Sequence, residues 1–205
     1  MKIATNGPYL SYLQKEIEME IEAVEKAYPK TYVVFEDGEP VKKVSCSIVP
    51  LATLSTASSV AQIEGLERIG GIKYAVRLLA RQGLHSVQLK AKLGVHHVGE
   101  RVQQEVCDYC IQQGWIDDQE WVESRIRQWQ RQGKSSREIR FRLQRLGIEG
   151  EVETDDRETL FTFVERKYPQ LLQADCVKKE RDKIIRSLLR RGFSFSLIND
   201  LLHNK

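Results

Sequence analysis

From Ile72 to the C-terminus, apolar residues recur every three or four positions, and the same spacing returns fifty residues later. Ile72, Val76 and Leu79 correspond to Val122, Ile126 and Trp129, and Leu89 and Leu93 to Ile139 and Leu143. An offset kept across two helices is an internal repeat. A looser third copy follows at an offset of 45, where Ile184, Leu188, Gly192 and Phe193 match Ile139, Leu143, Gly147 and Ile148. Each copy predicts three short helices. The third helix of copy one carries Val98, Val102, Val106 and Tyr109; that of copy three opens at Ser194 and carries Leu197, Ile198, Leu201 and Leu202. In copy two, "IEGEVETDDRE" holds too few apolar residues to fix a third helix firmly.

The N-terminal part has a different pattern. Leu10, Leu13, Ile17, Ile21, Val24 and Tyr28 lie three and four apart and predict an amphipathic helix with an acidic outer face, stopped by Pro29. "TYVVFEDGEPVKKVSCSIV" then places two β-branched runs around Asp37-Gly38, a strong short hairpin signal. Residues 50–70, rich in Ser, Thr, Ala and Gly, predict a loosely specified connection with one short helix. The expected domains are 1–70, 71–116, 117–154 and 155–205. The fold class is mainly α: tandem three-helix repeats preceded by an N-terminal helix and a β-hairpin.

"GWIDDQEW", residues 114–121, tests whether the chain carries catalytic carboxylates. Gly114 suits the left-handed position just past a helix end, and Trp115 the apolar residue that packs back after it. Asp117 or Asp118 can accept hydrogen bonds from the free amides of the next helix, and Asp117 with Glu120 fits the capping pattern. No histidine is near in sequence. The segment predicts a helix–helix joint, not an acid–base pair. Ser135 and Glu138 in "GKSSREIRFRL" form a second capping box, whose counterparts in copy one, His85 and Gln88, predict a weaker cap.

Charge narrows the partner. The net +3 divides unevenly: residues 1–60 hold eight acids and six bases, a net of −2, so residues 61–205 carry +5. Arg125, Arg127, Arg131, Lys134, Arg137, Arg140, Arg142 and Arg145 fall within 121–145 against only Glu123 and Glu138, and Lys178 to Arg191 form another basic cluster. Such clustering suits a polyanion or an acidic protein, or else a solvated helix face. With 41% hydrophobic and 30% charged residues, no apolar run of membrane-spanning length and no secretory core in "MKIATNGPYL", a cytosolic protein is expected. Cys107 and Cys110 form a C-x-x-C, but no second such pair follows and the pattern there is helical. They read as one partly buried face rather than a metal or redox site. No metal or cofactor is expected, and no nucleophile–base pair or phosphate loop marks an enzyme.

Several of these segments together resemble the RecX family, bacterial regulators of the RecA recombinase. "GWIDDQEWVESRIRQWQRQGKSSREIRFRLQRLGI" is similar to that family's central motif, "RRGFSFSLINDLL" to its C-terminal end and "YAVRLLARQGLHSVQLKAKL" to its first helical pair. The hairpin is similar to an element of longer members. The resemblance spans roughly residues 30–205. It departs at His85, where the family usually has serine, at Trp129, where arginine is common, and in the acidic stretch near Glu151. It implies an elongated, curved, basic body that lies in the groove of the RecA–DNA filament and inhibits filament growth, ATP hydrolysis and strand exchange. Weak, non-specific DNA binding and a monomeric state are expected with it.

Candidate contact residues come from helical geometry. With Ile139, Leu143 and Leu146 on the buried side, Arg137, Arg140, Phe141 and Gln144 point outward at about 100° per residue. Arg127 and Arg131 face out from the preceding helix by the same count. An outward Phe141 among arginines either stacks on a base or anchors in a protein groove, or packs against a neighbouring repeat or the N-terminal element. The competing function is a helix-turn-helix protein reading duplex DNA without RecA. It is disfavoured because no repeat offers a cluster of Asn, Gln and Arg at a helix start.

Overall fold

A computed structural model describes residues 19–23, 30–150, 152–173 and 176–203. Its elements are β1 (Met19–Ala23), β2 (Thr31–Glu36), β3 (Glu39–Ser45), α1 (Leu51–Leu54), α2 (Val60–Leu79), α3 (Ser86–Val95), α4 (Glu100–Gln112), α5 (Asp118–Arg131), α6 (Ser136–Arg145), α7 (Asp156–Lys167), α8 (Lys178–Leu189) and α9 (Phe195–His203), with a 3-10 turn at Pro169–Leu172. The chain is mainly helical, with repeated three-helix groups after a β-hairpin. Two compact units divide it: Met1–Gln82 with Leu89–Trp115, and Gly83–Gln88 with Ile116–Lys205. No described helix is long and apolar enough to cross a membrane.

In the first unit the sheet is antiparallel in the order β1-β2-β3. Asp37 (φ +52°) and Gly38 (φ +81°) both lie in the left-handed region, as a type I′ turn requires, so the hairpin forms where its turn residues put it. The expected helix from Leu10 to Tyr28 is corrected where it can be compared. Residues 19–23 form β1, paired Met19 to Glu36 and Ala23 to Tyr32; residues 1–18 and 24–29 lie outside the described residues. Ile17, Met19, Ile21 and Ala23 alternate with Glu18, Glu20 and Glu22, a period of two that competes with the i, i+4 pairs. Here the edge of β2 is available, and pairing satisfies the backbone groups that an isolated turn of helix would leave to water.

Helix α2 corrects the expected connection over 50–70. It begins at Val60, capped by Ser59, whose hydroxyl accepts from the Gln62 amide. Its buried face is Ile63, Glu67, Gly70, Gly71 and Ala75, while Val76 is exposed. A count of large apolar residues misses a stripe made of glycine and alanine. Those small residues permit close approach: Gly71 faces Val106 and Leu93, and Gly70 lies against the Ile48 carbonyl. Glu67 is buried and meets the Lys42 ammonium at 3.1 Å. Burial pushes its carboxyl up from the ordinary range and Lys42 pulls it back.

Cys107 and Cys110 are buried on α4 beside Val102 and Val106, on the core face rather than at a surface site. Burial raises the Cys110 thiol further. The described residues contain no group of three His, Cys, Asp or Glu side chains placed to hold a metal.

One repeat position differs in cost between copies. After α6 the Ile148 amide donates back to the Leu143 carbonyl at 3.0 Å, with Gly147 at φ +72° between them. After α3 the Val98 amide donates to Leu93 at 3.3 Å, and the left-handed residue is His97, at φ +61°. A side chain in that region costs about 1–2 kcal/mol, partly offset by the greater unfolded-state freedom of glycine. His97→Gly should therefore raise the urea midpoint by the equivalent of about 0.5 kcal/mol. A lowered midpoint would show that the His97 side chain contributes more than its backbone costs.

Among its described residues the second unit has two cores. Trp121, Ile139, Leu143, Ile148 and Val152 pack with Val87, Val122, Ile126 and Trp129. Leu160, Phe163, Val164, Leu171, Ile184, Leu188, Phe193 and Ile198 form the other. Among the described residues between Arg145 and Asp156 there is no helix, as the sparse apolar pattern there implies.

The joint at 114–121 is a helix boundary. Gly114 has φ +69°, the Trp115 amide donates back to the Cys110 carbonyl at 2.9 Å, and the Trp115 ring packs edge-on against Tyr109. Asp117 caps α5, accepting from the Glu120 amide at 2.9 Å. Asp118 serves a different helix: its two oxygens accept from the Ser86 amide (2.7 Å) and hydroxyl (2.5 Å) at the start of α3. The arrangement recurs. Asp155 caps α7, while Asp156 accepts from the Ser136 amide (2.7 Å) and hydroxyl (2.9 Å) at the start of α6. The second Asp-Asp, in "TDDRE", was visible in the sequence. What it ties to was not.

The expected weak cap at His85 has a physical form. His85 Nδ1 accepts from the Val87 amide at 3.2 Å while the Gln88 side chain accepts from the His85 amide at 3.2 Å. Asp118 stands 3.5 Å from the same nitrogen, yet burial outweighs its attraction and lowers the imidazole pKa, so the ring is neutral and Nδ1 accepts. The His85 ring nitrogen takes the place of the serine hydroxyl, and the Asp118 contact is the one that Asp156 makes in the next copy.

Candidate partner-binding surface

Helix α6 turns its arginines outward because both its ends and its inner face are committed. Ser135 caps it, accepting from the Glu138 amide at 3.3 Å, and the Ser135 amide donates across to the Arg191 carbonyl at 3.1 Å. Glu138 does not reach back to close the capping box; it pairs with Arg142 at 2.8 Å and Lys134 at 4.0 Å. Ile139 and Leu143 are buried, which leaves Arg137, Arg140, Phe141, Gln144 and Arg145 in solvent. Leu146, expected on the buried side, is exposed: α6 ends at Arg145, and Leu146 is the cap residue where the chain leaves the helical path.

Phe141 is 54% exposed, with the Arg145 guanidinium 5.9 Å from its ring centre. The five residues singled out by sequence do not form one cluster. Arg137 and Phe141 line a groove of ≈ 750 Å³ with Leu189, Arg190 and Phe195. Arg127 and Arg131 line a separate one of ≈ 370 Å³ with Thr159, Thr162 and Arg166. Arg140 stands exposed on α6 outside both.

Electrostatics separates them further. Arg127 is bound by Glu120 at 2.8 Å and by Glu123 at 3.4 Å, so its charge is already answered. Arg131 is exposed and its carbonyl accepts from Arg166, which turns a third cation toward the same groove. Arg137, Arg140 and Arg190 have no carboxylate within ion-pair distance among the described residues. Behind them, burial lowers the Lys134 pKa, and Arg142 and Arg191 lower it further against Glu138. Cations outnumber their counter-charges on this side of the unit.

Sequence reasoning missed Leu189, Arg190, Phe195 and Arg166. The basic run from Lys178 to Arg191 pointed toward Arg190, but nothing local says that the α8–α9 turn meets α6. The contact that brings them together is backbone-close. Gly192, at φ +93°, approaches so tightly that a Cβ there would stand 2.3 Å from the Ser135 hydroxyl. Arg191 locks the same turn, donating to the Gln132 carbonyl at 3.0 Å and stacking 4.6 Å over Phe163.

Comparison with known proteins gives consistent results. Residues 154–202, which contain α7, α8 and all but the last residue of α9, match the profile described as RecX, third three-helix domain. A regulatory protein RecX of Serratia proteamaculans (strain 568) is 33% identical over 122 residues, covering 56% of this chain and 71% of that protein. One from Staphylococcus carnosus (strain TM300) is 30% identical over 158 residues, 73% of this chain, and the match spans only 59% of that protein's length. A crystal structure titled as that of regulatory protein RecX has the same fold at 18% identity, with a TM-score of 0.52 over 92% of this chain and 100% of the other.

Proposed function

The chain belongs to the RecX family, and from that premise we propose that it regulates the RecA recombinase. It binds the RecA–DNA filament and inhibits filament growth, ATP hydrolysis and strand exchange, acting in the cytosol as a monomer without metal or cofactor. The observation that supports this reading beyond kinship is the set of exposed arginines on α6 and the α8–α9 turn around Phe141, without ion-pair partners among the described residues. A RecA–DNA filament offers both carboxylate and phosphate, and such a surface is attracted to either. In this reading the protein acts by occupying space and charge.

Direct DNA contact is a minor part of this function. Binding to DNA alone is weak, indifferent to sequence and lost as salt rises, because only phosphate is read. The test is ATP hydrolysis by the cognate recombinase on single-stranded DNA. Substoichiometric protein should slow it, since one bound molecule in the groove or at a filament end affects many subunits. Unchanged hydrolysis at molar excess would remove the proposal, and sequence-specific duplex binding in the same preparation would put the helix-turn-helix reading in its place.

A further inference from the structure

We infer that the groove beside Phe141 docks an acidic protein segment carrying an apolar anchor side chain. This rests on the regulatory reading and deepens it by naming the chemistry of the contact. The groove has ≈ 750 Å³ between α6 and the α8–α9 turn. Phe141, Leu189 and Phe195 line it and are exposed, at 54%, 39% and 62%. Large apolar residues grouped in a concave site, rather than scattered singly, are what a protein anchor fills. Arg137 and Arg190 stand on the same groove without ion-pair partners among the described residues, so the flanks of the occupant are acidic.

One detail favours a protein segment over a nucleic-acid strand. Glu138 and Asp156 also line the groove but do not cancel the arginines, since Glu138 is held by Arg142 and Asp156 by the start of α6. The aromatic surface is a poor stacking platform. One side of Phe141 carries the Arg145 guanidinium, and the groove is completed by buried Phe193 and half-buried Leu197, an apolar floor. A single strand binds by stacking bases on open ring faces. A leucine or phenylalanine side chain needs only the floor.

The test uses the full chain and a fluorescein-labelled peptide of glutamates around a central Leu-Phe pair, followed by anisotropy. The wild-type chain should bind it. Leu189→Ser with Phe195→Ser should weaken binding about tenfold or more, and replacing the peptide's Leu-Phe by serines should do the same. Both protein substitutions are at exposed sites, and Arg190→Glu serves as an independent variant with the same expected loss. Unlabelled oligothymidine should not displace the peptide at physiological salt. Unchanged binding by the variants, equal binding of the peptide without its anchor, or displacement by oligothymidine would each overturn the inference. Recombinase ATP hydrolysis is measured with the same preparations. Inhibition retained by a variant that has lost the peptide would place the groove outside the regulatory contact and overturn its role there. A wild-type chain that binds the peptide but leaves hydrolysis unchanged would refute the regulatory reading alone.

Discussion

Gly70→Ala should destabilise the chain by about 3 kcal/mol, lowering its melting temperature by roughly 6–12 °C, although alanine is the better helix former. The reason is distance. A Cβ at residue 70 would lie 2.1 Å from the Ile48 carbonyl oxygen and 2.9 Å from the carbonyl carbon. Backbone cannot rotate aside as a side chain can, so α2 must lift from the turn after β3. That opens the packing of Ile63 and Ala75 and strains the contact between buried Glu67, on the same helix, and Lys42 on β3. Gly65 is the control, five residues earlier on α2, where a Cβ would meet nothing within 4 Å. Gly65→Ala should stabilise by about 0.5–1 kcal/mol. The pair separates helix propensity from collision, and thermal unfolding followed by circular dichroism reads both. A Gly70→Ala chain as stable as the wild type would show that α2 and the turn can shift apart without cost.

Reversing Arg137 and Arg140 to glutamate should abolish regulation while leaving the fold intact. Both side chains are exposed on α6, and neither belongs to an ion pair among the described residues. Surface changes of this kind move stability by under about 0.5 kcal/mol, and a glutamate at 137 is well placed near the positive end of the helix. Against an acidic or phosphate-bearing partner, attraction becomes repulsion at two points. The concentration for half-inhibition of recombinase ATP hydrolysis should rise about 100-fold or more, the equivalent of two moderately strong charge contacts. Helical content and melting temperature should be unchanged. A folded double variant that inhibits at the wild-type concentration would mean that α6 is not the contact face. The groove of Arg131 and Arg166 would then be examined by the same measurement.

Residues close together in the chain encoded what short-range physics decides. Asp37-Gly38 demanded a type I′ turn and obtained one; Gly114, Trp115 and Asp117 marked a helix end and the next helix start; Ser135 announced α6 and Ile139 with Leu143 its buried side. Each depends on backbone angles, caps or a periodicity completed within a few residues, so folding elsewhere cannot easily override it. Errors arose where two local readings competed or where the signal was an absence of bulk. Met19–Ala23 fits a helix or a strand, and only an available partner in β2 selects the strand. The inner face of α2 is glycine and alanine, which become meaningful once Ile48 and Val106 are seen against them. The candidate surface lies furthest from local reading. Arg127 is answered by Glu120 two helical turns away, while Ser135 meets Arg191, carried to it by α7 and α8. Side chains on α6 were correctly judged to face outward from their own helix. What they face, and that Leu189 and Phe195 complete a groove with Phe141, depends on packing between segments about fifty residues apart, and no helical period carries that information.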